Sequence, residues 1–361
     1  MRTNPSNYIP TLDGWRAIAI LLVLFEHASF CTFRPVGWTS LGGHGVEIFF
    51  VISGYLITGK LLEDASLPQF YVRRVFRILP VLFMYVAVVV VAGFLLHRIP
   101  LRWSEVTASL LFVRNYCNFP DMKQTGAGWF TGHLWSLSIE EQFYLIWPLV
   151  LLKVGKGIVR RQLLAALLLF CFGCAILAAV LVGRALHLWG WHWLPNAKFA
   201  GLVAGCMLRI TFSNAGAAAA IKRIFSGYSL AATAIALGYF VAFHSRVTIF
   251  DPLICGVALC ATLVEPHARM GRLLEWPALR WIGRLSYSLY IWQQLFLGFG
   301  VVYLPFGFLS KFPVNLLSLL VVSCASYYLM ERPLVRLGHR FALPRATLES
   351  TPLVATESRV A

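Results

Sequence analysis

Long apolar runs constrain this chain more than any other feature. Val81–Leu96, Leu163–Val182, Tyr228–Phe243 and Leu316–Met330 contain no charged residue. About 20 apolar residues in a helix match the hydrocarbon thickness of a bilayer. In lipid the backbone must satisfy its own hydrogen bonds, and helices do so within one segment. The composition agrees, with 59% hydrophobic and 13% charged residues over 361 positions, about half the charged share of a soluble domain. The expectation is an all-α membrane protein, a polytopic bundle of about ten transmembrane helices. The spans fall near 12–32, 44–62, 79–97, 133–152, 163–183, 196–212, 227–244, 250–265, 284–304 and 314–331. One membrane domain is expected over 8–340, followed by a polar, disordered cytoplasmic tail at 341–361. In the longest outer loop, Glu105–Val113 suits an interfacial helix.

Charge sets the orientation. The formal net charge is +16, which in another context would point to nucleic acid. Here the basic residues lie between apolar spans, with no long basic run, so no nucleic-acid partner is expected. With the N-terminus inside, twenty-one of the 31 Lys and Arg fall on inner segments and nine on outer ones. Arg16 falls within the first span. This asymmetry predicts ten helices with both termini cytoplasmic. Six of the eight cysteines sit in apolar segments. Cys171 and Cys174 have CxxC spacing without a second ligand pair, which reads as packing, and no metal site is expected. No cleavable leader is evident, so the first helix is expected to remain as an anchor.

Several polar groups stand out against this background. Asp13-Gly14-Trp15-Arg16 is followed by His27. Eleven residues turn a helix by about 1100°, three turns plus roughly 20°, so Arg16 and His27 share a face about 16 Å apart along the axis. Arg16 would lie near the cytoplasmic end and His27 deeper. Arg16 alone suits a snorkelling residue and His27 alone an interhelical packing contact. Ionisable groups inside spans are nonetheless functional candidates. Gly42-Gly43-His44-Gly45-Val46-Glu47 leads into an apolar helix in which Glu47 either caps the helix or assists a histidine. Phe70-Tyr71-Val72-Arg73-Arg74 places Arg74 and Arg77 one turn apart. Guanidinium forks there suit phosphate, from a ligand or from lipid headgroups.

His133-Leu134-Trp135-Ser136-Leu137-Ser138-Ile139-Glu140-Glu141-Gln142-Phe143-Tyr144 is too dense in polar groups for packing alone, though capping by Ser136 or Ser138 accounts for part of it. Gly283–Gln294 is rich in Tyr and Trp, as membrane interfaces are. Glu331-Arg332-Pro333 ends the last span and suits simple helix termination.

Taken together and in order, these motifs resemble the acyltransferase 3 family of membrane-bound acyltransferases. The strings are LDGWRAIAILLVLFEH, GVEIFFVISGYLIT, FYVRRVFRILP, WSLSIEEQFYLIWP, SYSLYIW and ERP, spread over about 8–335. The resemblance implies transfer of an acyl group, commonly acetyl from acetyl-CoA, to hydroxyls of a surface glycan, glycolipid or small molecule. It implies a multi-pass protein of the bacterial inner membrane. It matches His27 to the catalytic histidine, Arg16 to its paired arginine, Arg74 and Arg77 to a basic pair meeting the coenzyme, and Glu140 to the glutamate after WSL. Two positions depart from the pattern: Glu47 replaces the usual Asp, and Gln293 stands where many members have His. Some members also carry a soluble hydrolase-like domain, and none is expected within these residues.

The expected chemistry follows. Acyl-CoA docks its phosphates on Arg74, Arg77 and Arg16. His27 acts as general base for an acceptor hydroxyl or carries the acyl group itself. Glu140, Glu47 or Trp135 orients the base or stabilises the oxyanion, and Trp135, Ser136 and Tyr144 meet the substrate. The competing reading is a transporter or flippase for a lipid or glycan, and a further one is a non-catalytic scaffold.

Overall fold

The computed structural model of the chain describes residues 8–29, 41–63, 66–96, 101–117, 128–154, 195–244, 250–298 and 307–342. Among these, every regular element is helical. The helices are α1 (Pro10–Ser29), α2 (Leu41–Glu63), α3 (Leu67–Leu96), α4 (Trp103–Leu110), the single turn α5 (Trp129–Gly132), α6 (Leu134–Val154) and α7 (Pro195–Phe212). They continue as α8 (Ala215–Phe225), α9 (Ser229–Ala242), α10 (Asp251–Val264), α11 (Arg269–Leu274), α12 (Pro277–Phe296), α13 (Val314–Ser326) and α14 (Arg332–Phe341). The expected span at 163–183 and the tail from 343 lie outside the described residues.

Three described helical stretches are long and apolar enough to cross a membrane: α2, α3 and the continuous Val314–Phe341. The pair α7–α8, bent by 108°, makes a fourth if it is one span. The helices α1, α6 and α12 fall short on apolarity because they carry the charged and polar motifs.

Three helices differ in their bounds from the sequence reading, and α12, at Pro277–Phe296, lies about two turns earlier than the expected 284–304. α3 begins at Leu67, a full three turns before the expected 79, so the arginine motif and the apolar run share one helix. Pro80 sits inside it without ending it, as prolines in membrane helices can. The chain also does not stop at Glu331-Arg332-Pro333. A π-helical turn at Tyr327–Glu331 joins α13 to α14, and the helix runs on past Pro333. In that turn Glu331 is buried and accepts a hydrogen bond from Ser288 Oγ at 2.8 Å.

Glycines let the central helices meet at backbone distance. α2 is buried along most of its length against α1, α6 and α7. A Cβ on Gly205 of α7 would stand 2.0 Å from Val51 O, and one on Gly54 would stand 1.9 Å from Leu202 O. Backbone oxygens cannot move aside as side chains do. Gly205→Leu is therefore expected to destabilise the bundle by about 1–3 kcal/mol or more, read as a lower melting temperature of the detergent-solubilised protein. Wild-type thermal stability in that variant would show that the two helices are not locked there.

At one end of the bundle Glu26 caps α2, accepting from Gly42 N at 2.5 Å. Nearby, His44 and Asp251, both fully buried, pair through Nδ1, and Tyr239 donates to Asp251 at 2.9 Å. This network ties α2 to α9 and α10.

Candidate active site

A cavity of about 540 Å³ opens between α1, α2, α3, α6, α12 and α14. That size falls within the range of small-molecule sites. Along the helices, one end carries Tyr8, Lys60, Glu63, Arg73 and His339, and the middle carries Asp13, Arg16, Arg74, Arg77, Ser53, Glu140 and Tyr144. The inner end carries Val46, Phe50, Ser136, Leu137 and Tyr290. On α6, Ser136, Glu140 and Tyr144 recur every four residues, so one helix face presents all three.

The charges inside are unevenly satisfied. Tyr8 donates to Asp13 at 2.5 Å, and burial, with that hydrogen bond, pushes the Tyr8 phenol up. Glu63 pairs with Arg209 at 3.0 Å and with Lys60 at 3.7 Å. Glu140 accepts hydrogen bonds from Ser53 and Tyr144. Arg74 lies flat on the Tyr144 ring, 3.4 Å from its centroid, with Phe70 at 5.6 Å. Its planar face is taken, which leaves its edge for a ligand. Arg16 and Arg77 are close enough to repel each other, and neither has an ion-pair partner among the described residues. The Arg16 Nε is buried without a hydrogen-bond partner among them. Two unpaired guanidinium groups facing one cavity form a seat for an anion with several oxygens.

His27 does not line the cavity. Its Nδ1 is 2.8 Å from Gln293 Oε1, and its ring meets Trp129 edge-on at 5.8 Å. The amide oxygen accepts, so Nδ1 carries the hydrogen and Nε2 keeps its lone pair. Of the residues expected to orient His27, none does so; the contact is made by Gln293, at the very position where the sequence departs from the family pattern.

Glu47 does not join this group. Gly45 packs on Ala19 of α1, and two residues later a helix has turned about 200°. Glu47 accordingly faces α7, where a Cβ on Gly201 would meet its Oε2 at 2.8 Å. Trp135 packs edge-on against Phe50 at 6.5 Å, outside the cavity lining. Ser136 and Ser138 do not cap α6 onto the glutamates. Ser136 Oγ is 2.7 Å from the Tyr290 hydroxyl, while Ser138 donates to Leu134 O at 2.9 Å. Among the described residues no three His, Cys, Asp or Glu side chains group as metal ligands.

The sequence reading passed over Lys60, Arg73, Ser53 and Tyr290 as site residues. Tyr290 had a usable signal: with Ser286 and Gln293 it follows helical spacing along one face of α12.

The family model described as an acyltransferase domain (acyltransferase 3) matches residues 9–332, and the chain belongs to this family. It is 31% identical over 315 residues to the peptidoglycan O-acetyltransferase OatA of Listeria monocytogenes, covering 79% of this chain and 49% of that protein. It is 30% identical over 382 residues to a putative peptidoglycan O-acetyltransferase, YrhL, of Bacillus subtilis, covering 94% and 57%. A putative O-acetyltransferase of Staphylococcus aureus is 27% identical over 367 residues, covering 92% and 58%. The chain thus spans about half the length of the curated relatives it matches. No solved structure matches it significantly.

Gln293 can be tested directly. Gln293→Leu is expected to lower kcat for acyl transfer about tenfold, the loss of one buried hydrogen bond, with little change in KM for the acyl donor. Equal kcat in the variant would remove Gln293 from the machinery.

Proposed function

We propose that this chain is a multi-pass O-acetyltransferase of a bacterial inner membrane that moves acetyl from cytoplasmic acetyl-CoA to a hydroxyl of a cell-wall or surface glycan. The observation that carries this reading is the cationic cavity, with Arg16 and Arg77 outside any ion pair among the described residues, whose lining reaches Tyr290, one turn of α12 before the Gln293 that holds His27 Nδ1. Family membership supports the reaction class, and the relatives' names support a glycan acceptor. The topology that goes with it has ten membrane helices and both termini cytoplasmic, as the distribution of Lys and Arg favours. The end of the cavity that carries Lys60 and Arg73 then faces the coenzyme pool.

In this mechanism Arg16, Arg77 and the edge of Arg74 hold the donor's phosphates. Glu140, fixed by Ser53 and Tyr144, holds the Arg74 side of the cavity in place. His27 Nε2 takes the proton of the acceptor hydroxyl as its oxygen bonds to the thioester carbonyl carbon. The proton then goes to the departing thiolate. The test is labelled acetyl-CoA incubated with membranes that contain or lack the chain, together with an extracted glycan pool. Label in alkali-labile glycan esters is the expected result. Accumulation of a lipid or glycan in vesicles without acetyl-CoA consumption would replace this reading with a transporter.

A further inference from the structure

We propose that Tyr290 is the partition between the donor cavity and His27, and that it sets both the acyl size admitted and the coupling of donor cleavage to transfer. This inference rests on the function proposed above.

The line of residues on α12 shows the partition. Ser286, Tyr287 and Tyr290 line the cavity. Gln293, which holds His27, follows one turn later, about 4.5 Å along the axis. On α6 the lining ends at Ser136, and His133, just before α6, is not part of it. The Tyr290 hydroxyl donates to His133 O and stands 2.7 Å from Ser136 Oγ. Its single hydrogen goes to the carbonyl, so Ser136 donates to the phenol oxygen. Both hydroxyls are committed, which leaves neither as an oxyanion donor. Together they pin the ring across the inner end.

Behind Tyr290 lies a layer of rings. His133 is 5.3 Å from Tyr290, and Tyr85 meets His133 at 5.4 Å and Trp292 at 5.5 Å. Tyr85 is fully buried and donates to Phe130 O at 2.5 Å. Of these four rings only Tyr290 lines the cavity, so it is the member that a donor's acyl end meets. A pinned ring there admits a short acyl group and opposes water. With water as nucleophile, its oxygen bonds to the thioester carbonyl carbon, the C–S bond breaks, and its proton passes through His27 to the thiolate, giving free acid and thiol. The partition suppresses that loss.

The experiment compares wild type, Tyr290→Phe, Ser136→Ala and Tyr290→Ala in membranes. Acceptor-free thiol release and label transfer to glycan are measured with acetyl-CoA and butanoyl-CoA. Tyr290→Phe and Ser136→Ala, which keep the bulk, are expected to raise the ratio of hydrolysis to transfer about fivefold, the worth of one hydrogen bond. Tyr290→Ala is expected to admit butanoyl. If Tyr290→Ala does not insert, Tyr290→Phe still decides. Unchanged ratios in both conservative variants, with wild type transferring acetyl, would overturn the partition alone. A wild type that transfers nothing from acetyl-CoA would overturn the proposed function and this inference with it.

Discussion

Replacing His27 with alanine is expected to lower acetyl transfer by about 10²–10⁴-fold, the usual contribution of a positioned general base. The corresponding loss of transition-state stabilisation is about 3–5 kcal/mol. KM for acetyl-CoA is expected to stay near wild type, because His27 is not part of the cavity lining. Trp129 and Gln293 hold the ring. Steady-state kinetics on membranes with labelled donor separates the two parameters. Full transfer by His27→Ala would move the chemistry elsewhere in the bundle.

The second large effect belongs to the donor seat. Arg77→Ala and Arg16→Ala are each expected to raise KM for acetyl-CoA by about tenfold or more, since a charge-assisted hydrogen bond contributes about 1.5–3 kcal/mol. Each guanidinium repels the other but is also attracted by nearby carboxylates, Arg16 by Asp13, Glu140 and Glu331, and Arg77 by Glu331 and Glu141. These effects oppose one another, so a small change in the melting temperature of the ligand-free variants is expected. Arg74→Ala should differ, because its guanidinium is stacked on Tyr144, which bonds Glu140. Loss of that stack is expected to lower both stability and kcat. Donor KM unchanged in Arg16→Ala and Arg77→Ala would reduce both residues to topology signals.

Much of the architecture was legible because lipid imposes simple rules. Apolar runs located α1, α2, α6, α7, α9 and α10 and the end of α3 to within a few residues, while α12 lies about two turns earlier than expected. The start of α3 was missed because Pro80 and three arginines look like a boundary, whereas the helix tolerates the proline and turns the arginines inward. Of the cavity group, Arg74 and Arg77 were placed together by helical spacing, while Arg16, Ser136, Glu140 and Tyr144 came from the family strings.

Glu47 and Trp135 were misplaced for a reason spacing alone cannot reveal. Knowing which residues share a helix face does not say which neighbour that face meets. Gln293 was seen as a departure from the family pattern, but its bond to His27 joins residues 266 positions apart in sequence. No local pattern carries such a pairing.

The π-helical turn at Tyr327–Glu331 has a consequence for length variation in this part of the chain. A π turn holds one residue more than an α turn. Deleting a single residue there would let α13 run into α14 as one regular α-helix with little change of phase, because four residues of α-helix turn about as far as the five of the π turn. Val335 and His339 would stay on the cavity wall, and Gly338 would keep its close contact with Phe76. A one-residue deletion on either side of the turn would instead rotate everything downstream by about 100°. The last helix of this bundle therefore tolerates a change of residue count at this one turn and not beside it.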